Sequence, residues 1–178
     1  MADNELATIA QRRTFVEANH TCVVGYTRKA APPSMSIVHY VMDGENIVFL
    51  TMTERQKAKA VKRNGELSIC VLAATEDALA WPPEYLVVDG DAEIISDMDY
   101  VVKVAMQVGG IMRGEPVPEE AEPFVRDMMV REKRVAVCVS PRSSFHSPSV
   151  HPEGDDPEAE ASMVHGLGAR LPWSGDDA

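Results

Sequence analysis

Apolar positions along this 178-residue chain change period several times, and each change marks an element. From Asn4 to Ala18, Leu6, Ile9, Ala10 and Phe15 fall on one helical stripe, with Arg12 and Arg13 turned outward and Asn19 as the stop. His20–Tyr26 and Met35–Met42 read as strands, separated by a turn over Arg28–Pro33, because two adjacent prolines cannot join a sheet interior. Asp43-Gly44 is a strong hairpin signal, and Ile47–Met52 returns antiparallel to the strand before it. Thr53-Glu54-Arg55-Gln56 has the form of a capping box, with Thr53 as N-cap and Gln56 at N3. The helix it opens continues through Lys57, Ala58, Ala60 and Val61 and stops at Asn64-Gly65. Leu67–Ala73 is another apolar strand, and Thr75–Glu84 is a loop around Trp81-Pro82-Pro83. Tyr85–Ser96 is a long strand with Gly90 as a bulge or point of close approach. Asp97 caps a helix that reaches Val108, where Gly109-Gly110 breaks it. A second helix covers Glu119–Glu132 behind Pro118. Arg134–Ser140 is the last strand, ended by Pro141.

About six strands, mostly linked as hairpins, with helices at a few corners, do not alternate as a doubly wound parallel sheet would. The expected fold is mainly β: a six-stranded antiparallel split barrel with helical decorations. One domain is expected over residues 1–149. Residues 150–178 are rich in Pro, Gly, Asp and Glu and read as an acidic, mobile tail, with Leu171-Pro172-Trp173 able to dock.

Charge alters this picture in one place. The net charge is −11, of which 150–178, with seven acidic residues and one basic, carries −6 and the rest −5. Such a surface argues against nucleic acid as a partner, since phosphates need neutralising by Lys and Arg. Against it, Arg55, Lys57, Lys59, Lys62 and Arg63 place five of the 17 basic residues within nine positions. No run approaches the ~18 apolar residues of a membrane span, and the N-terminus lacks the apolar core of a signal peptide, so a cytoplasmic address is expected. Cys22, Cys70 and Cys138 sit in apolar runs without C-x-x-C spacing and read as small buried hydrophobes. The five histidines show no H-x-x-x-H spacing, and no metal site is expected.

The segment richest in chemistry is Ile47–Val61: a strand, Thr-x-Thr, then a helix. A helix start offers free N–H groups and the positive end of its dipole. Thr51 and Thr53 add hydroxyls, and Arg55 and Lys57 add cations in the first turn, where the dipole disfavours them unless an anion lies between. A phosphate site and a solvated basic helix face both fit these residues.

Phe49-Leu50-Thr51, Gln56-Lys57-Ala58, Arg63-Asn64 and the apolar strand Leu67–Leu72 stand in an order that resembles the pyridoxamine 5′-phosphate oxidase-like, FMN-binding split-barrel superfamily. The Ser36–Gly44 hairpin precedes them and Val88–Ala92 follows, as in that superfamily. The likeness spans about Glu17–Asp97 and returns at Arg134–Pro141. It implies a flavin bound at a homodimer interface, with its phosphate on Thr51 and Lys57; the helix-start reading adds Thr53, Arg55 and Gln56 around them. It also implies that Ser36, Ile37 and Val38 line the ring system. Gln56 stands where the true oxidases carry Arg, and their C-terminal substrate motif is not recognisable. The pattern is closer to the flavin/deazaflavin oxidoreductase branch, using FMN or coenzyme F420. The implied function is hydride transfer to or from a small organic substrate, with His39, Tyr40 and Tyr85 as candidates to touch it. The alternative is a non-catalytic flavin- or haem-binding barrel, with His39 or His146 as the haem ligand. The cofactor carries the chemistry, so no side chain need be an acid or base. Ser143, Ser144 and His146 lack a G-x-S-x-G elbow, and Gly109-Gly110 and Gly166-x-Gly168 are too short for a dinucleotide fingerprint.

Overall fold

A computed structural model describes residues 6, 8–73, 85–146 and 170–174. Its elements are α1 (Ile9–Ala18), β1 (Thr21–Tyr26), β2 (Ser34–Asp43), β3 (Asn46–Met52), α2 (Gln56–Asn64), β4 (Glu66–Leu72), β5 (Tyr85–Ile95), α3 (Met98–Arg113), a 3-10 turn (Glu119–Ala121), α4 (Glu122–Arg131), β6 (Arg134–His146) and β7 (Leu171–Pro172). The strands run in the order β3-β2-β1-β4-β5-β6-β7, and β3 also pairs with β6, closing a six-stranded antiparallel barrel. The expected fold is thus the observed one. No helix among the described residues is long and apolar enough to cross a membrane.

Two apolar layers explain why several strands read as continuous runs rather than alternating ones. Ile47, Phe49, Val137 and Val139 face into the barrel with Cys22, Val24, Ile69 and Val88. Val48, Ala136 and Cys138 face the other way, onto Val101, Val102 and Val104 of α3 and Val125 and Met129 of α4. A strand covered on both faces needs apolar residues at every position. Helix α2 closes one end of the barrel, with Val61 in the inner core.

The structure departs from the sequence pattern in four places. Helix α1 begins at Ile9 behind a capping box made by Thr8 and Gln11. Arg12 does not face outward: it is 1 % exposed, and its guanidinium donates to the carbonyls of Leu6 and Ser144 at 2.8 and 2.7 Å. Helix α3 runs straight through Gly109-Gly110 to Arg113 and ends at Gly114, whose φ of 74° is left-handed. The glycine pair marks close packing instead: a Cβ on Gly109 would lie 3.0 Å from Val117 Cγ2, and one on Gly110 3.4 Å from the Glu115 carbonyl. Pro141 does not end its strand. It pairs with Gly90 at a register shift, where a missing N–H is tolerated, and β6 continues to His146. The expected tight spot at Gly90 is there, since an added Cβ would lie 2.6 Å from the Ser140 carbonyl oxygen.

The Trp81 loop and most of 150–178 lie outside the described residues. The segment that is described docks firmly. Leu171 and Pro172 pair with Ser144 and Ser143, Arg13 donates to the Trp173 carbonyl at 2.8 Å, and Trp173 is 2 % exposed in the inner core. Its indole N–H has no hydrogen-bond partner among the described residues. Trp173→Ala is therefore expected to destabilise the fold by about 3–5 kcal/mol, the scale for emptying an aromatic core site. Trp173→Phe should cost less, because it also removes a buried orphan donor. Urea midpoints of the two variants test both statements.

Candidate functional site

Where β3 runs into α2, the chain turns sharply. The Arg55 N–H donates to the Met52 carbonyl at 3.0 Å, and Arg55, with extended φ and ψ, is the N-cap of α2. No side chain among the described residues caps this helix. The expected capping role of Thr53 is therefore not realised: its N–H donates to the Lys133 carbonyl at 3.1 Å instead, and Thr53 does not line the groove beside it. That bond ties the end of β3 to the turn before β6, where Lys133 has a φ of 52° and Arg134 pairs with Met52. The uncapped first turn of α2 is left with N–H groups lacking a side-chain acceptor, the ordinary setting for an anion.

These pieces border a groove of about 620 Å³ between β2, the end of β3, the start of α2, and the α3–α4 pair. Ser36, Ile37, Val38 and His39 line it from β2, Thr51 from β3, and Arg55, Gln56 and Lys57 from α2. Seven of the eight residues expected to bind cofactor are thus brought together, Thr53 being the exception. Lys57 Nζ donates to Ser36 Oγ at 3.0 Å, joining the two halves of the expected set. Thr51 is 2 % exposed, and its hydroxyl is buried without a partner among the described residues. A buried polar atom left without a bond costs free energy unless a ligand satisfies it.

The charge pattern singles out the same spot. Arg55, Lys57 and Arg134 all border the groove. Arg134 is held by Glu132, with nitrogen–oxygen distances of 2.8 and 2.7 Å. Arg55 and Lys57 form no ion pair among the described residues. Burial, then Arg55, then Arg134, holds the Lys57 ammonium below its ordinary pKa, with Cys22 acting weakly the other way. Cys22, in the barrel wall, is pushed up to about 12, chiefly by burial. Arg134 escaped the sequence reading. Its signal was position alone: as the first residue of a strand antiparallel to β3, it must lie beside the strand end that carries Thr51.

The three residues expected on the substrate side have separate fates. His39 is exposed at the groove edge and shares a 3.1 Å hydrogen bond with Thr21 Oγ1 through Nδ1. Tyr40 is fully buried in the barrel, and its hydroxyl donates to the Val16 carbonyl at 2.7 Å, so it does not reach the groove. Tyr85 starts β5 opposite Leu72 and does not line the groove. His146 is buried in the barrel, away from the groove. No group of three or more His, Cys, Asp or Glu among the described residues could hold a metal.

Residues 9–143 match the family model described as pyridoxamine 5′-phosphate oxidase. The chain belongs to this family. No curated protein matches it. Among solved structures, a conserved hypothetical protein of Mycobacterium tuberculosis is 22% identical, with a TM-score of 0.68, over 82% of this chain and 88% of that one. An F420 reductase is 21% identical, with a TM-score of 0.55, over 74% and 94%. A haem storage protein of Vibrio cholerae is 16% identical, with a TM-score of 0.57, over 78% and 94%. At these identities the likeness is one of fold. Membership of the pyridoxamine 5′-phosphate oxidase family agrees with the closed barrel, and the groove geometry must carry the rest.

The lowered pKa of Lys57 has a testable consequence. The unfolded chain holds that proton more tightly than the folded one, so the ionised ammonium costs stability at neutral pH. The cost fades as pH rises through the folded-state pKa, where the native protein sheds the proton first. In ligand-free protein at low salt, Lys57→Met should be more stable than the parent near pH 7, with the gap closing toward alkaline pH. Urea denaturation across a pH series measures it; a gap that widens with pH would contradict the assignment.

Proposed function

We propose that this chain is an oxidoreductase that binds FMN or coenzyme F420 with the cofactor phosphate at Thr51, Arg55, Lys57 and Arg134. The observation that carries the reading is that the Thr51 hydroxyl, without a partner among the described residues, lines the same groove as three cations, of which Arg134 alone has an acid partner among those residues. A phosphate would accept from Thr51, from the free N–H groups of α2 and from the three cations. It would also offset the burial and, after it, the repulsion from Arg55 and Arg134 that lower the Lys57 pKa. Ser36, Ile37 and Val38 would lie along the ring. When bound, the cofactor supplies hydride transfer to or from a small organic substrate. The protein's part is to bind it, orient it and shield it from water.

The test is a titration of cofactor-free protein with FMN, with F420 and with riboflavin, which lacks the phosphate. FMN or F420 should bind far more tightly than riboflavin. Lys57→Ala should weaken that binding by about 1.5–3 kcal/mol, the scale of a charge-assisted hydrogen bond. Equal affinity for riboflavin and FMN would remove the phosphate assignment. Electron exchange between the loaded protein and an added acceptor then separates an oxidoreductase from a carrier that only holds the cofactor.

A homodimer belongs to the same proposal. The outer face of a barrel strand is ordinarily polar, yet Ile37, Val23, Cys70, Val87 and Phe145 stand side by side across five strands. None is fully buried, and Ile37 is 72 % exposed. An apolar row of this kind suits a two-fold contact with a second copy. Val87→Asp, inside the row and away from the groove, should convert a dimer to a monomer in sedimentation velocity while leaving the circular dichroism spectrum unchanged. We place the protein in the cytoplasm, where its three free thiols would stay reduced.

A further inference from the structure

The groove has two chemically different ends. Every Lys and Arg that lines it, Arg55, Lys57 and Arg134, borders the end at β3 and α2. The opposite wall comes from α3, the loop after it, and α4. It presents Val108, Gly109, Met112, Val117 and Met128, with no charged side chain. We infer that this wall receives an uncharged, apolar substrate, and that Met112 and Met128 determine that specificity; the inference rests on the cofactor reading of the cationic end.

The wall is built, not incidental. Gly109 lets Val117 seat within 3.0 Å of where a Cβ would stand, so the loop closes onto the helix and completes an apolar surface. Because α3 continues through the glycine pair, its last turn carries Met112 to the groove, where it is 66 % exposed. A large apolar side chain left in water beside a groove is more useful to a ligand than to the fold. Thioether side chains are flexible and polarisable and adapt to planar or irregular apolar groups. A charged substrate would lose its hydration against this wall and find no partner there. A second phosphate on the substrate, as in a phosphorylated pyridoxamine, is therefore excluded from it, in keeping with the absence of a recognisable C-terminal substrate motif.

Two ring-matched probes test the inference: 2-naphthol, uncharged at pH 7, and 6-hydroxynaphthalene-2-sulfonate, which adds one negative charge. Each is titrated into the full chain by its own fluorescence, with inorganic phosphate present to occupy the cationic end. 2-Naphthol should bind at least tenfold more tightly than the sulfonate. Met112→Lys, at an exposed position, should weaken 2-naphthol at least tenfold and favour the sulfonate, while phosphate affinity stays within twofold; Met112→Leu should retain 2-naphthol binding. Equal binding of the two probes, or 2-naphthol binding unchanged by Met112→Lys, would overturn the inference. Loss of phosphate binding in the parent would instead strike the cofactor reading, and the phosphate titration reports that separately.

Discussion

Backbone hydrogen bonding between β3 and β6 closes the barrel, pairing Ile47 with Val139 at one end and Met52 with Arg134 at the other. Closure requires both strands to be buried on two faces, since one side lines the inner core and the other supports α3 and α4. The candidate site is a by-product of that register. Thr51 pairs with Val135 and Met52 with Arg134, so the end of β3 and the start of β6 lie side by side at the edge of the groove. A shift of one residue would turn every side chain of β3 to the opposite layer. It would lose the core and the site at once.

The helical insertion is fixed to the same frame by polar contacts at its edges. Tyr100 donates to Asp43 at 2.7 Å and Lys103 lies 3.3 Å from the same carboxylate, which pins α3 to the β2–β3 hairpin. Those bonds hold the Asp43 carboxyl below the usual carboxylate range, Tyr100 first and then Lys103. Arg126 bridges Asp99 and Glu122 at 2.7 and 3.0 Å, joining α4 to the start of α3. These are exposed pairs, and each contributes only modestly. Their value lies in direction: they set how the buried Val102, Val104, Val125 and Met129 meet the barrel, and thereby where the groove's apolar wall stands.

Much of this was legible in the chain because periodicity reports burial directly. The strands β1 and β4, the Asp43-Gly44 turn and the close approach at Gly90 all follow from local residue chemistry. What sequence reasoning missed depended on distant partners. Gly109-Gly110 reads as a helix break until Val117 and the Glu115 carbonyl are seen to need the room. Pro141 reads as a strand end until Gly90 is found opposite it. Arg12 belongs to an outward stripe by period, yet the Leu6 and Ser144 carbonyls draw it in. Tyr40 and Thr53 were expected at the site, but one hydroxyl is taken by the Val16 carbonyl and the other residue is used through its backbone N–H. Arg134 carried no local signal at all.

The basic stretch from Arg55 to Arg63 separates two readings of one helix. On a chain with a net charge of −11, a cation has acidic neighbours within easy reach. Lys59 takes one, lying 3.1 Å from Glu54, and Arg63 donates to the Thr27 carbonyl and to Asn64. Those are the contacts of an ordinary solvated face. Arg55 and Lys57, one turn earlier and lining the groove, are left without acids among the described residues, and Lys57 is half-buried beside two further cations. Two such cations lining one groove are disfavoured both by burial and by like-charge repulsion, and an anion between them would offset both. The helix that carries an ordinary solvated basic face thus also supplies, at its start, the groove-lining cations on which the proposed phosphate site rests.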